Sequence, residues 1–165
     1  MTTTAVTFYN VVVWLHISAV VLAFGPTFAF GLYIALAQRK YPRAIPAVLE
    51  SQIAITRSFV TLGGVLIFIT GLYLAGDVWE FGDFFVIWGL LAIIALLGLA
   101  HGFFLPNDQR ALRAAKRDID AAGPTGDVEL SREFEEVSGR SARMGPIAGL
   151  LVILTIYVMA AKPFL

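Results

Sequence analysis

Residues 84–105 read FFVIWGLLAIIALLGLAHGFFL, a run without a single charged side chain. At ~1.5 Å of helix rise per residue it is long enough to cross a hydrocarbon layer of about 30 Å. Backbone amides and carbonyls find no water in such a layer, so the run must be a helix that satisfies them internally. Three more segments share its character: Val11–Ala37, Phe59–Ala75 and Ile147–Ala161. The second and fourth are short. Each gains a turn from its polar flank, where Arg57 and Arg143 bury their stems and keep their guanidinium groups among the headgroups. The expected spans are 11–37, 57–76, 84–105 and 144–162, with 106–143 as a polar segment outside the hydrocarbon. The fold class is therefore all-α, a four-transmembrane-helix bundle forming one membrane domain over residues 1–165.

Composition points the same way. Of 165 residues, 58% are hydrophobic and 15% charged, against roughly 45–50% and 25% in soluble domains. A chain this short would leave large apolar patches in water. Its net charge is zero and it has no basic run, which excludes nucleic acid as a partner. The expected partners are the lipid bilayer and either other membrane proteins or further copies of the chain. Cysteine is absent, which removes disulfides, thiolate metal sites and Cys-linked haem. The first span lacks a basic leader and is longer than a signal-peptide core, so it is expected to be retained.

Charge also sets direction. Arg39, Lys40, Arg43 and Arg57 lie between spans one and two, and seven further basic residues from Arg110 to Arg143 lie between three and four. The loop 76–83 carries Asp77, Glu80 and Asp83 instead. The positive-inside rule then puts both basic segments in the cytoplasm and both termini outside, and it fits a bacterial cytoplasmic membrane. In the polar segment, Asn107 and Asp108 are expected to cap a helix that resumes after Pro106. Ala121–Gly126 breaks it, and a second helix starts near Glu129 with a cap around Asp127 or Ser131. The bland reading of this pair is a solvated hairpin.

Small residues four apart, Gly98 with Gly102 and Gly145 with Gly149, together with Gly63, Gly64 and Gly71, predict close helix approach. Gly25-Pro26 predicts a kink in span one, because proline cannot donate and clashes with the preceding turn. Pro146 is expected in the first turn of span four, where a missing donor costs nothing.

No span holds Asp, Glu or Lys, so ion and proton pathways have no residues to use. Intramembrane histidines are the remaining chemistry: His16 and His101. Each is read either as a neutral imidazole bonded to a neighbouring helix or as an axial ligand to haem iron. Counted from the outer ends of their spans, they differ in depth by about 17 Å, too much for two bonds of about 2 Å to one iron. His16 is the better ligand candidate, with Met159 at a comparable depth as partner and His101 behind it. A polar cluster in the outer half, drawn from Asn10, His16, Ser18, Thr70, Tyr73, Thr155 and Tyr157, is compatible with these depths.

Leu15-His16-Ile17-Ser18-Ala19-Val20-Val21 followed by Phe24-Gly25-Pro26-Thr27-Phe28, in the first of four spans, resembles a bacterial family of four-span integral membrane proteins of unknown function. The first helix is also similar to that of HemJ-type protoporphyrinogen oxidases and CopD-type copper-resistance proteins. The HemJ resemblance implies a haem-binding role for His16, while the catalytic lysine of that family has no counterpart in these spans. Two function classes follow: a non-enzymatic accessory subunit of a membrane energy-converting assembly, and a b-type haem protein working through His16 in electron transfer or haem metabolism.

Overall fold

The computed structural model describes residues 7–163, and the chain ends, whose outward placement the charge bias predicts, lie outside them. Four long rods run the length of the molecule: Phe8–Lys40, Pro42–Asp77, Phe84–Ala122 and Arg132–Ala161. All four are long and apolar enough to cross a membrane. The all-α, four-span expectation holds.

The first rod has two parts. α1 (Phe8–Phe24) is capped by the Thr7 hydroxyl, which accepts from the Asn10 amide. At Gly25-Pro26 the helix gives way to a 3-10 turn, Pro26–Ala29, before α2 (Phe30–Lys40) continues. This interruption is the form the proline kink takes. The Thr27 hydroxyl donates to the Phe24 carbonyl at 2.7 Å, as a backbone group in hydrocarbon requires.

The second rod reaches beyond the expected span. Its helix begins well before residue 57, as α3 (Ile45–Ile55), passes through a π turn at Thr56–Val60, and goes on as α4 (Thr61–Val78). Only Tyr41–Ala44 separate it from α2. Pro42 and Pro46 fall in the first turns of helical segments, where they lack nothing. The third rod likewise runs through. α5 (Phe84–Leu99), a π turn at Ala100–Phe104 and α6 (Leu105–Ala122) form one helix. Asn107 and Asp108 are therefore not caps. Both are buried, and the Asn107 amide donates to the Val137 carbonyl and the Ser141 hydroxyl, each at 2.7 Å. The predicted breaker does end α6, at Gly123 with φ 68°, the left-handed conformation glycine adopts without strain.

α7 (Arg132–Ala161) starts at the expected Ser131 cap, whose hydroxyl accepts from the Phe134 amide. It is continuous, so Pro146 sits in its interior rather than in a first turn.

Three apolar cores are stacked along the rods. The one beside the acidic loop 76–83 joins Ala75, Phe85, Val86 and Val158, and the central one Ala19, Ala23, Ile67, Ile93, Leu96 and Val152. The third lies at the basic end, around the fully buried Ile45 and Phe134 with Ala37, Leu49, Ala111 and Ala114. The segment 106–143 is thus no free solvated hairpin. Its inner face closes a four-helix layer with α2 and α3. Arg43 ties the layer's two turns together by donating to the carbonyls of Gly123 and Gly126 at 2.7 and 2.6 Å.

At the top of this layer the Ser141 hydroxyl donates to the Asp108 carboxylate at 3.2 Å. Burial pushes the Asp108 carboxyl up from its ordinary 3.8 to about 6, and the Ser141 bond opposes this in part. The folded protein thus binds that proton more tightly than the unfolded chain. The contribution of Asp108 to stability is fully present below about pH 4 and is lost as the pH rises through about 6. Asp108→Asn removes that loss. Unfolding in mixed micelles should show it about 2–3 kcal/mol more stable than the parent above pH 7 and equal to it near pH 4. A difference that does not change with pH contradicts the assignment.

Candidate functional site

The polar chemistry inside the spans gathers on α4, which packs between α1 and α5. Gly63 lets α1 come close: a Cβ there would lie 2.7 Å from that of Ala23. Gly71 faces the His16 ring, which an added Cβ would meet at 3.4 Å, about van der Waals contact. The His16 Nδ1 is 2.8 Å from the Thr70 hydroxyl.

The Thr70 hydroxyl has one proton and also lies 2.7 Å from the Leu66 carbonyl and 3.2 Å from that of Ile67. With that proton on Leu66, its oxygen accepts from Nδ1 and Nε2 carries the lone pair of the ring. The ring has the Ile67 carbonyl as a further neighbour. A histidine oriented through one nitrogen in this way has the arrangement of a metal ligand positioned by its neighbour.

His101 is held differently. It lies in the π turn Ala100–Phe104, against Thr61, which directly follows the other π turn. Its Nδ1 lies 3.0 Å from the Leu97 carbonyl and its Nε2 2.9 Å from the Thr61 hydroxyl. A carbonyl only accepts, so a neutral ring spends its proton on Leu97, and Nε2 faces the Thr61 hydroxyl, whose one proton also has the Thr56 carbonyl within reach at 2.9 Å. Both ring nitrogens thus have protein neighbours. Met159 lies elsewhere again, with its methyl group over Gly89 of α5 and its side chain against the core beside the acidic loop.

The three candidate residues thus have separate neighbours. Thr70 and Thr61, the partners of the two histidines, are nine residues apart, which is about 14 Å along one helix. Of the expected outer polar cluster one pair forms, His16 with Thr70, while the Thr155 hydroxyl accepts from the indole N–H of Trp88, outside that cluster, at 3.1 Å. Asn10 belongs instead to the cap of α1, and Tyr73 meets the ring of Phe8.

Thr61 was missed from the sequence, though a signal existed. At 100° per residue, nine positions rotate a side chain by about 180°. Thr61 and Thr70 therefore face opposite sides of α4, one for each flanking helix that carries a histidine. Gly98 and Gly102, expected between helices, face outward with nothing within 4 Å of an added Cβ. Gly149 meets the ring of Phe28 and Gly64 the side chain of Leu97, as close packing requires.

A sequence family described as Predicted integral membrane protein (DUF2269) matches residues 10–163. No curated protein and no solved structure matches, and a likeness to HemJ-type or CopD-type proteins is not shown. Nitrogen-15 NMR of histidine-labelled protein in micelles tests the proton assignment. Both rings should appear as the Nδ1–H tautomer at neutral pH; an Nε2–H tautomer at His16 contradicts the arrangement described.

Proposed function

The chain belongs to the DUF2269 family, and from that premise we propose that it is a non-catalytic component of a membrane assembly, an accessory subunit of an energy-converting complex in a bacterial cytoplasmic membrane. One observation carries this reading. Each of the two intramembrane histidines makes one bond that fastens its span to another, His16 to Thr70 and His101 to Thr61, which is the work of a scaffold. Among the described residues no group of three or more His, Cys, Asp or Glu could hold a metal ion. The outward Gly98 and Gly102 support an assembly role, since small residues on a lipid-facing helix let another helix approach closely.

The second reading is a b-type haem protein that uses His16 as axial ligand in electron transfer or haem metabolism. It rests on the Nε2 lone pair that an Nδ1–H ring carries and on the orienting bond to Thr70. Of the other two candidates, His101 has protein neighbours at both ring nitrogens, and Met159 packs on Gly89 rather than beside His16.

Absorption spectra of protein extracted in mild detergent, oxidised and then reduced with dithionite, separate the two when combined with native gel mobility. The accessory reading expects a featureless visible spectrum and a particle larger than one chain. It also expects the particle to shrink to a single chain in Gly98→Ile/Gly102→Ile. A Soret band with sharp reduced α and β bands that vanish in His16→Ala establishes the haem reading instead.

A further inference from the structure

A cavity of about 560 Å³ opens between α2 and α3, on a face that the accessory and haem readings leave unused. Its walls include Pro26, Tyr33 and Ala37 on one rod and Ala44, Ala47 and Val48 on the other. The 3-10 turn at Pro26 parts the two rods at its deep end. There the Gln52 amide reaches across to donate to the Phe30 carbonyl at 3.0 Å, so the polar atoms at the bottom are satisfied.

Charge is distributed along this groove in one way only. On α2 no charged residue occurs before Arg39, and the one charge on α3, Glu50, is turned away to accept from Lys116 of α6 at 2.6 Å. At the mouth the basic residues gather. Arg43 is occupied by two carbonyls, but Arg39 and Lys40 are exposed and have no acidic partner among the described residues. Lys40 lies three residues after Ala37 and four after Leu36, both of which line the groove, and therefore continues the lined face.

Length identifies the occupant. From Pro26 to Tyr41 the groove follows fifteen residues, roughly 22 Å at helical rise. One leaflet of a bilayer, headgroups included, is roughly 20–22 Å deep. We infer that this groove is a binding site for one anionic phospholipid of the leaflet beside the basic segments, with an acyl chain between α2 and α3 and the phosphate at Arg39 and Lys40. A basic mouth on an apolar slot between spans is the chemistry that selects such headgroups over zwitterionic ones.

The test uses the full chain in mild detergent, with phosphatidylglycerol and phosphatidylcholine of identical chains as probes and native mass spectrometry as readout. One phosphatidylglycerol per chain should be retained in preference to phosphatidylcholine. Arg39→Gln/Lys40→Gln, at exposed positions that leave the fold intact by circular dichroism, should weaken phosphatidylglycerol about fivefold per charge removed and leave phosphatidylcholine unchanged. Ala47→Phe, which fills the groove, should weaken both. Equal retention of the two lipids, or no response to the charge-neutral variant, overturns the site. So does an Ala47→Phe variant that changes the number of chains per particle instead of lipid retention, because the groove then holds a second copy.

Discussion

Hydrocarbon offers a polar group no partner, and in this protein that constraint decides how the helices meet. A backbone amide or an imidazole left alone there costs several kcal/mol; hydroxyls such as Thr27 and Ser58 turn back to their own helix, while the imidazoles reach another span. α4 supplies the answer twice. Thr70 on one side holds His16 of α1, and Thr61 on the other holds His101 at the end of the third span. The glycines follow from this: Gly63 brings α1 within hydrogen-bonding reach, and Gly64 accepts the side chain of Leu97 from α5. The Thr27 hydroxyl at the Pro26 interruption, and Gln52 reaching to the Phe30 carbonyl, obey the same rule for backbone groups.

Towards the basic end the same four rods continue, and the chemistry of their faces changes. Phe134 and Ile45 make an apolar core there because the outer faces of α6 and α7 can now be charged. The ion pairs on those faces, Lys116 with Glu50 and Arg117 with Glu133, have exposed side chains and add little stability. The buried Asn107, Asp108 and Ser141 chain joins α6 to α7 where the membrane layer meets the polar layer. A carboxyl is tolerated at that level because it can take up a proton, which none of the spans above it needs to do.

The four spans were legible because hydropathy is a property of long runs, and a run such as 84–105 has no soluble alternative. The kink at Gly25-Pro26, the Ser131 cap and the break at Gly123 were legible as local chemistry. What escaped the sequence is what depends on neighbours. Arg39, Lys40 and Pro42 read as a loop, although Ile45, Leu49 and Ile53 already stood at helical spacing and are buried. Asn107 and Asp108 after a proline carry the signature of a helix start, yet a π turn takes the helix past Pro106 and turns both side chains inward. Gly98 and Gly102 have the pattern of a packed interface and face outward, because a spacing rule says nothing about which side of a helix the bundle occupies. His16 was found from the rarity of titratable groups in spans. Its partner required knowing that α1 and α4 are adjacent.

The clasp between His16 and Thr70 is the central claim, and a double-mutant cycle measures it most directly. His16→Phe, Thr70→Val and the pair are to be compared by unfolding in mixed micelles. The account predicts that the two single losses are not additive, with a coupling of roughly 0.6–1.7 kcal/mol, the range for hydrogen bonds between membrane helices. Strictly additive losses would contradict it, since the two side chains would then stabilise the bundle independently.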